Sequence, residues 1–320
     1  MTTHQDMLFH LGGLPVMAGL PFSKGAKYYF VDVANGSDGN DGLSPKTPLA
    51  TLIAAEDLCV ANRHDTIFLI GGASGLNMSA ALVWDKAYTH LIGICAPTMV
   101  AQRARIFQLS TLTGASPLFT VSASGCIFKN FYCFQGVADA TSLINWSITG
   151  ERNYFENVHF AGGGHATQAV NGGASLQLNG GSENTFRRCT IGVDTAAAAT
   201  GMAGLLLDAE ATRNIFKGCH FTMYAGNAGA IFVEVTDATG IDRYTIFDNC
   251  LFTNPSATAM SQAFAIPAGM SPPRGPIYLK DCAGHGFTDW DASDRGVLFL
   301  NGGTVTAGGT TGLFQASTVA

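Results

Sequence analysis

Three carboxylates in the second half of the chain, Asp208, Glu210 and Glu234, are the residues whose placement could serve glycan cleavage. A glycoside hydrolase needs a general acid and a second carboxylate about 5–9.5 Å apart on one outward face. In an extended segment, alternation puts Asp208 and Glu210 on the same side, and Glu234 would follow one rung later. With Asp237 nearby they form the best candidate catalytic group; solvated acids at strand ends are the competing reading and the preferred one. A lyase would use a Lys or Arg base beside an acid cluster. Arg213 and Arg243 lie in the turns that follow, where they are expected to pair with those acids instead.

Metal and cofactor chemistry finds less support. The Asn35–Gly42 stretch is acidic and Gly-rich, but an EF-hand starting at Asp38 would place Gly42 and Leu49 where donors must stand. A tight turn is expected there, and no metal site. His159 and His220 occupy the same place in a repeat described below, two units apart, so about 10 Å would separate them, too far to share an ion. No phosphate loop, dinucleotide fingerprint or Gly-x-Ser-x-Gly elbow is present, and no cofactor is expected. Eight Cys occur without any Cys-x-x-Cys, so they are read as small apolar core fillers rather than disulfides or ligands.

The elements that position these residues follow from an internal repeat. Phe128-Lys-Asn-Phe131, Phe155-Glu-Asn-Val158, Phe186-Arg-Arg-Cys189, Phe216-Lys-Gly-Cys219, Phe247-Asp-Asn-Cys250 and Leu279-Lys-Asp-Cys282 recur at intervals of 27 to 32 residues. Each block follows an apolar run and a polar turn, and the apolar positions alternate with period two. A unit of three short strands cannot bury its apolar face alone, but it can when stacked on copies of itself. The expected fold is therefore all-β, a parallel β-solenoid with one coil per repeat of about 30 residues. Phe131, Val158, Cys189, Cys219, Cys250 and Cys282 should form one inward ladder, and Phe128 to Leu279 a second. Asn130, Asn157 and Asn249 share a bend position at which Asn tolerates left-handed backbone.

Upstream, Tyr28-Tyr-Phe-Val-Asp leads through Asn35-Gly-Ser-Asp38 and Asp41-Gly42 to Ser44-Pro45, Thr47-Pro48-Leu-Ala-Thr51 and an apolar-periodic segment; Asp65-Thr-Ile then opens the coils. The Thr47-Pro48 pair suggests the start of a capping helix over about 49–60. This run, over about Tyr28 to Gly72, resembles the opening of pectin-lyase-like right-handed parallel β-helix proteins, and the repeat supports the likeness to about Gly284. The resemblance implies the right-handed fold. It leaves function open, because lyases, hydrolases, phage tailspikes and non-enzymatic virion proteins share it. The chain is also similar in character to bacteriophage-encoded virion proteins of this fold, including the run Thr89 to Ile106. That likeness implies a structural protein that self-associates as a homotrimer.

Composition bears on partners. Apolar residues make up 47% and charged residues 12%, with a net charge of −6; soluble domains carry about 25% charged residues. No basic stripe could track a phosphate backbone, so nucleic acid is not an expected ligand. The apolar stretch Leu8 to Phe22 is broken by Gly12, Gly13, Pro15, Gly19 and Pro21, so neither a membrane span nor a secretion signal is expected. The domains are read as an extended arm at 1–27, a β-helix at 28–300 and a Gly/Thr-rich segment at 301–320. Leu8, Phe9, Leu11, Leu14, Val16 and Phe22 of the arm are the candidate partner-binding residues, because so apolar a tail needs a surface to dock on. The expected function is non-enzymatic: capsid decoration or cement in a virion, made in the host cytoplasm and bound to other virion proteins. The alternatives are a tailspike-type polysaccharide depolymerase and a glycan-binding adhesin. An outer aromatic stripe would favour the adhesin, but Trp84, Trp146 and Trp290 are out of repeat register.

Overall fold

A computed structural model describes residues 23–267 and 275–291, and the backbone of 298–300. The arm residues Leu8, Phe9, Leu11, Leu14, Val16 and Phe22, and the segment 301–320, lie outside the described residues. Over the described residues the chain is an all-β parallel solenoid of about seven turns with one helix, matching a right-handed parallel β-helix. Each full coil has three limbs. Taking one coil as the example, Tyr154–Ala161 is bent at Asn157 into a first and a second limb, and Ala174–Asn179 forms the third. The first two limbs stack into one sheet. The third limbs, from Leu82–Trp84 to Phe264–Ala265, stack into a seven-stranded second sheet.

Register makes the repeat physical. Phe128, Phe155, Phe186, Phe216, Phe247 and Leu279 pair in sequence across adjacent coils. Their rings lie parallel, 4.9, 4.7, 4.5 and 5.0 Å apart from Phe128 to Phe247. The column continues upstream through Leu91, Ile67 and Tyr29. Phe131, Val158, Cys189, Cys219 and Cys250 are buried, and Cys282 is partly so. Each of the last four thiols donates to the carbonyl of the Phe one coil back, such as Cys219 Sγ to Phe186 O at 3.4 Å. Burial keeps the Cys219 thiol well above its ordinary pKa, so it stays protonated and inert.

A third ladder was not legible in the repeat. Asn153, Asn184 and Asn214 are fully inside the turn between the third and first limbs. Their side-chain oxygens accept from the backbone N–H of Cys126, Asn153 and Asn184 at 2.8, 2.9 and 3.0 Å. Their amides donate to Ala123, Gly150 and Gly181 carbonyls. Each Asn therefore closes a turn and ties it to the coil before.

The helix is Leu52–Leu58, shorter than the expected 49–60. Leu49 is taken by the first strand: its N–H donates to Phe30 O and its carbonyl accepts from Asp32 N. Thr51 caps the helix instead. Asp38 holds this corner, accepting from Ala50 N, Thr51 N and Thr51 Oγ1, each at 2.9 Å. The Asn35–Gly42 acids are thus turn and cap acceptors. Asp65 is fully buried and binds Arg63 at 2.5 Å and the N–H groups of Lys27 and Val60.

One loop, 95–103, lies as a strap along the outer face. Asn130 Nδ2 donates to Cys95 O, Gln102 Nε2 to Asn157 O, and Thr190 Oγ1 to Met99 O. Ala101 N–H donates to His159 Nδ1 at 3.2 Å, so the His159 proton sits on Nε2, which donates to Gly192 O. His159 and His220 do share one column, with Thr190 between them. His159 is nonetheless buried, because the strap covers it. Near the other end His90 accepts from Ile127 N–H and contacts His64. Burial lowers both His90 and His159 to about 4.

Three outcomes follow. Phe186→Ala, in the middle of the ring column, should lower unfolding free energy by about 3–5 kcal/mol in urea titration; a loss under about 1 kcal/mol would contradict the ladder as a principal source of stability. Asn184→Ala leaves the Asn153 N–H unpaired and should cost about 1–3 kcal/mol. Histidines with depressed pKa bind protons more readily when unfolded. Stability should therefore be full above about pH 6.5 and fall as pH drops toward 4. The urea midpoint should decline from pH 7.5 to 4.5, and decline less in His159→Gln; a flat profile over that window refutes the assignment.

Candidate functional site

Two outward surfaces carry ionisable groups. The first is the outer face of the second sheet. Leu206 pairs with Glu234 across adjacent strands, so Glu234 lies beside the strand that ends in Asp208. Leu205 and Leu207 face the core, so Leu206 and Asp208 face outward. Asp208 and Glu234 are thus brought to one face on neighbouring coils. Glu210 is not: Ala209 and Glu210 both have left-handed backbone, φ 50° and 63°, which breaks the alternation and puts Glu210 in the turn.

The environments of the two remaining acids differ. Asp208 accepts from Ala209 N and Thr236 Oγ1, both at 2.8 Å, and from Gln177 Nε2 at 3.3 Å. Gln177 in turn accepts from Ser147 Oγ. Glu234 makes no hydrogen bond or ion pair among the described residues, and burial raises its pKa. Asp237 caps its own turn through Thr239. The expected cations go elsewhere. Arg213 binds Glu183 at 2.5 Å and Arg243 binds Asp242 at 2.8 Å. Glu183 is shared with Arg152, and the Arg213 hydrogen bond leads in holding its pKa down. Each Arg takes the acid nearest in its own turn stack.

The second surface is an axial groove of about 690 Å³ beside the bend column, and sequence reasoning missed it. Its floor is the bend itself: Asn130, Asn157, Arg188, Gly218 and Asn249, all with φ between 51° and 61°. A left-handed residue in every coil turns the chain sharply, and stacking the turns makes a continuous re-entrant corner. Ile92, Pro97 and Met99 form the apolar side. On the other side stand Lys129 and Glu156, the first members of an outward column that continues in register through Arg187, Lys217, Asp248 and Lys280. Glu156 bridges Lys129 at 2.7 Å and Arg187 at 3.3 Å. Burial alone would raise its pKa, but the Lys129 hydrogen bond and charge bring it below the usual value. Asp248 bridges Lys217 and Lys280, both at 3.3 Å. The signal available in the sequence was the repeated bend; what it could not reveal is the strap that walls it.

Trp84, Trp146 and Trp290 are all fully buried, so none offers an outer platform for a sugar ring. Among the described residues no three His, Cys, Asp or Glu side chains are grouped to hold a metal ion.

No protein-family model and no curated protein matches the sequence. Solved structures do match the fold. A rhamnogalacturonan lyase is similar with a TM-score of 0.55 at 17% identity, covering 81% of this chain and 68% of that one. Pectate lyase Pel9A gives 0.59 at 15% identity, over 82% of this chain and 64% of that one. Pectin methylesterase PemA from Erwinia chrysanthemi gives 0.52 at 13% identity, over 89% and 92%. The chain therefore has the pectin- and pectate-lyase-like right-handed β-helix fold, and likeness at this identity speaks to the fold alone.

Proposed function

We propose that the chain is a non-enzymatic structural protein of a bacteriophage particle. In this reading it decorates or cements the capsid as a rigid rod and is held to other virion proteins by the apolar arm containing Leu8, Phe9, Leu11, Leu14, Val16 and Phe22. It is proposed to act as a homotrimer within the virion. The observation that carries the non-catalytic part is the use made of the outward carboxylates. Glu156, Glu183 and Asp248 are each divided between two cations, and Asp208 is held by two hydroxyl or amide donors and a backbone N–H. Groups so engaged brace adjacent coils, which suits a load-bearing rod. The phage assignment rests on the resemblance of the run Thr89 to Ile106 and on the low charge and apolar arm.

One observation favours a second reading, a polysaccharide depolymerase. Glu234 and Asp208 share a face with unlike environments, one desolvated and one hydrogen-bonded, and such a split can separate a general acid from its partner.

The two readings part experimentally. Asp208→Ala and Glu234→Ala should both leave particle assembly unchanged; only Asp208→Ala, which loses the Gln177 and Thr236 bonds to the neighbouring coils, should lower the thermal midpoint. Cleavage of host-surface polysaccharide by the native chain, lost in either variant, would establish the depolymerase instead. Removing residues 1–22, while keeping the Ser23 and Lys27 contacts to Arg63 and Asp65, should preserve the β-sheet circular dichroism and abolish co-sedimentation with particles. Undiminished co-sedimentation would reject the arm as the anchor.

A further inference from the structure

The bend column changes character half-way along. In its first half the side-chain amides are used internally: Asn157 Nδ2 donates to Asn130 Oδ1 at 2.8 Å, and Asn130 Nδ2 to Gly93 and Cys95 carbonyls, both at 2.9 Å. In its second half, Arg188, Gly218 and Asn249 occupy the same slot on three successive coils. Among the described residues the Arg188 guanidinium has no ion pair or hydrogen bond, and the Asn249 amide has none either; both side chains are exposed. Gly218 between them leaves a gap: a Cβ there would meet only Arg188 Cγ, at 3.8 Å.

Arg188 is also an unusual occupant. Left-handed backbone disfavours a long side chain and suits Asn or Gly, which hold four of the five groove-floor positions. Packing does not call for Arg here, since its guanidinium touches no acid. Its flanks, Arg187 and Lys217, are neighbours in register, the one step at which the outward column sets cation against cation. The groove therefore becomes locally cationic where its floor is open, on a chain whose net charge is −6.

We propose that the Arg188–Gly218–Asn249 stretch binds an extended acidic peptide segment of a partner protein. A peptide carboxylate meets the Arg188 guanidinium, which matches it with two parallel N–H donors. The Asn249 amide hydrogen-bonds the peptide backbone, and alternate apolar side chains rest on Pro97 and Met99. From Gly93 to Asn249 the groove crosses five rung steps of about 4.8 Å, enough for about seven extended residues. A linear glycan would favour aromatic stacking platforms, and the side chains lining the groove are aliphatic, amide or charged. This binding involves a surface other than the arm, so it stands or falls independently of how the arm is used.

The test is fluorescence anisotropy on the full chain with a labelled ten-residue peptide of alternating Glu and Leu. The same peptide with Lys for Glu, and a decamer of galacturonic acid, serve as comparators. The acidic peptide should bind saturably and the basic one should not. Arg188→Asn should weaken binding at least tenfold, and Gly218→Asn should also weaken it by filling the gap. Neither should lower the urea midpoint, because Asn already stands at three equivalent bends. The proposal fails if the acidic peptide does not saturate, if Arg188→Asn binds it equally well, or if the oligosaccharide binds through Arg188 while the peptide does not.

Discussion

In-register stacking is the constraint on which the rest of this structure depends. Neighbouring coils share their backbone hydrogen bonds position by position, so whatever occupies a slot in one coil sits against the same slot in the next. Inside, that forces shape compatibility. Phe rings answer it by lying parallel within 9° of one another from Phe128 to Phe247. Cys answers it by donating to the carbonyl one coil back. Outside, the same rule forces charge compatibility. Lys129, Glu156 and Arg187 alternate in sign, as do Lys217, Asp248 and Lys280, which avoids repulsion between adjacent rungs at every step but Arg187 to Lys217.

This view places the turn residues among the principal determinants of the fold. Asn153, Asn184 and Asn214 are polar and completely buried, and each is satisfied on both sides by backbone. They fix where one limb ends and the next begins more tightly than apolar packing could, since a hydrogen-bonded amide has one acceptable register. The bend column does the same at another corner through backbone geometry. The strap runs along the bend column: Cys95 bonds to Asn130, Gln102 and Ala101 to Asn157 and His159 on the next coil, and Met99 to Thr190 on the one after, so a single loop spans three coils and hides His159.

What could be read from the residues, and what could not, divides on physical lines. The Phe-x-x-Cys block was legible because period-two alternation and a fixed interval both survive in one dimension, and so were the coil unit, the inward columns and the Asn bends. The buried Asn ladder was not, since Asn184 in Gly-Gly-Ser-Glu-Asn has the composition of any solvated turn. The helix boundary was misplaced because Leu49 pairs with a strand some twenty residues upstream, a contact no local pattern contains. For the outward acids, the repeat put Glu234 one rung from Asp208, and the register does so, whereas strand alternation paired Asp208 with Glu210. It failed at Glu210, where two consecutive left-handed residues interrupt the strand. The groove escaped because it needs both the bend column and a strap whose sequence has no periodicity.

The bend slots have a consequence for how such a molecule could change. Any coil whose corner accepts Asn or Gly, and whose interior offers a Phe and a small residue, presents the same docking edge above and below. Copying one such unit, for example Thr185 to Asn214, would lengthen the rod by a single rise of about 4.8 Å while leaving both tips untouched. Length here is a quantity that gene duplication can adjust in discrete increments, much as a ruler is extended by adding graduations.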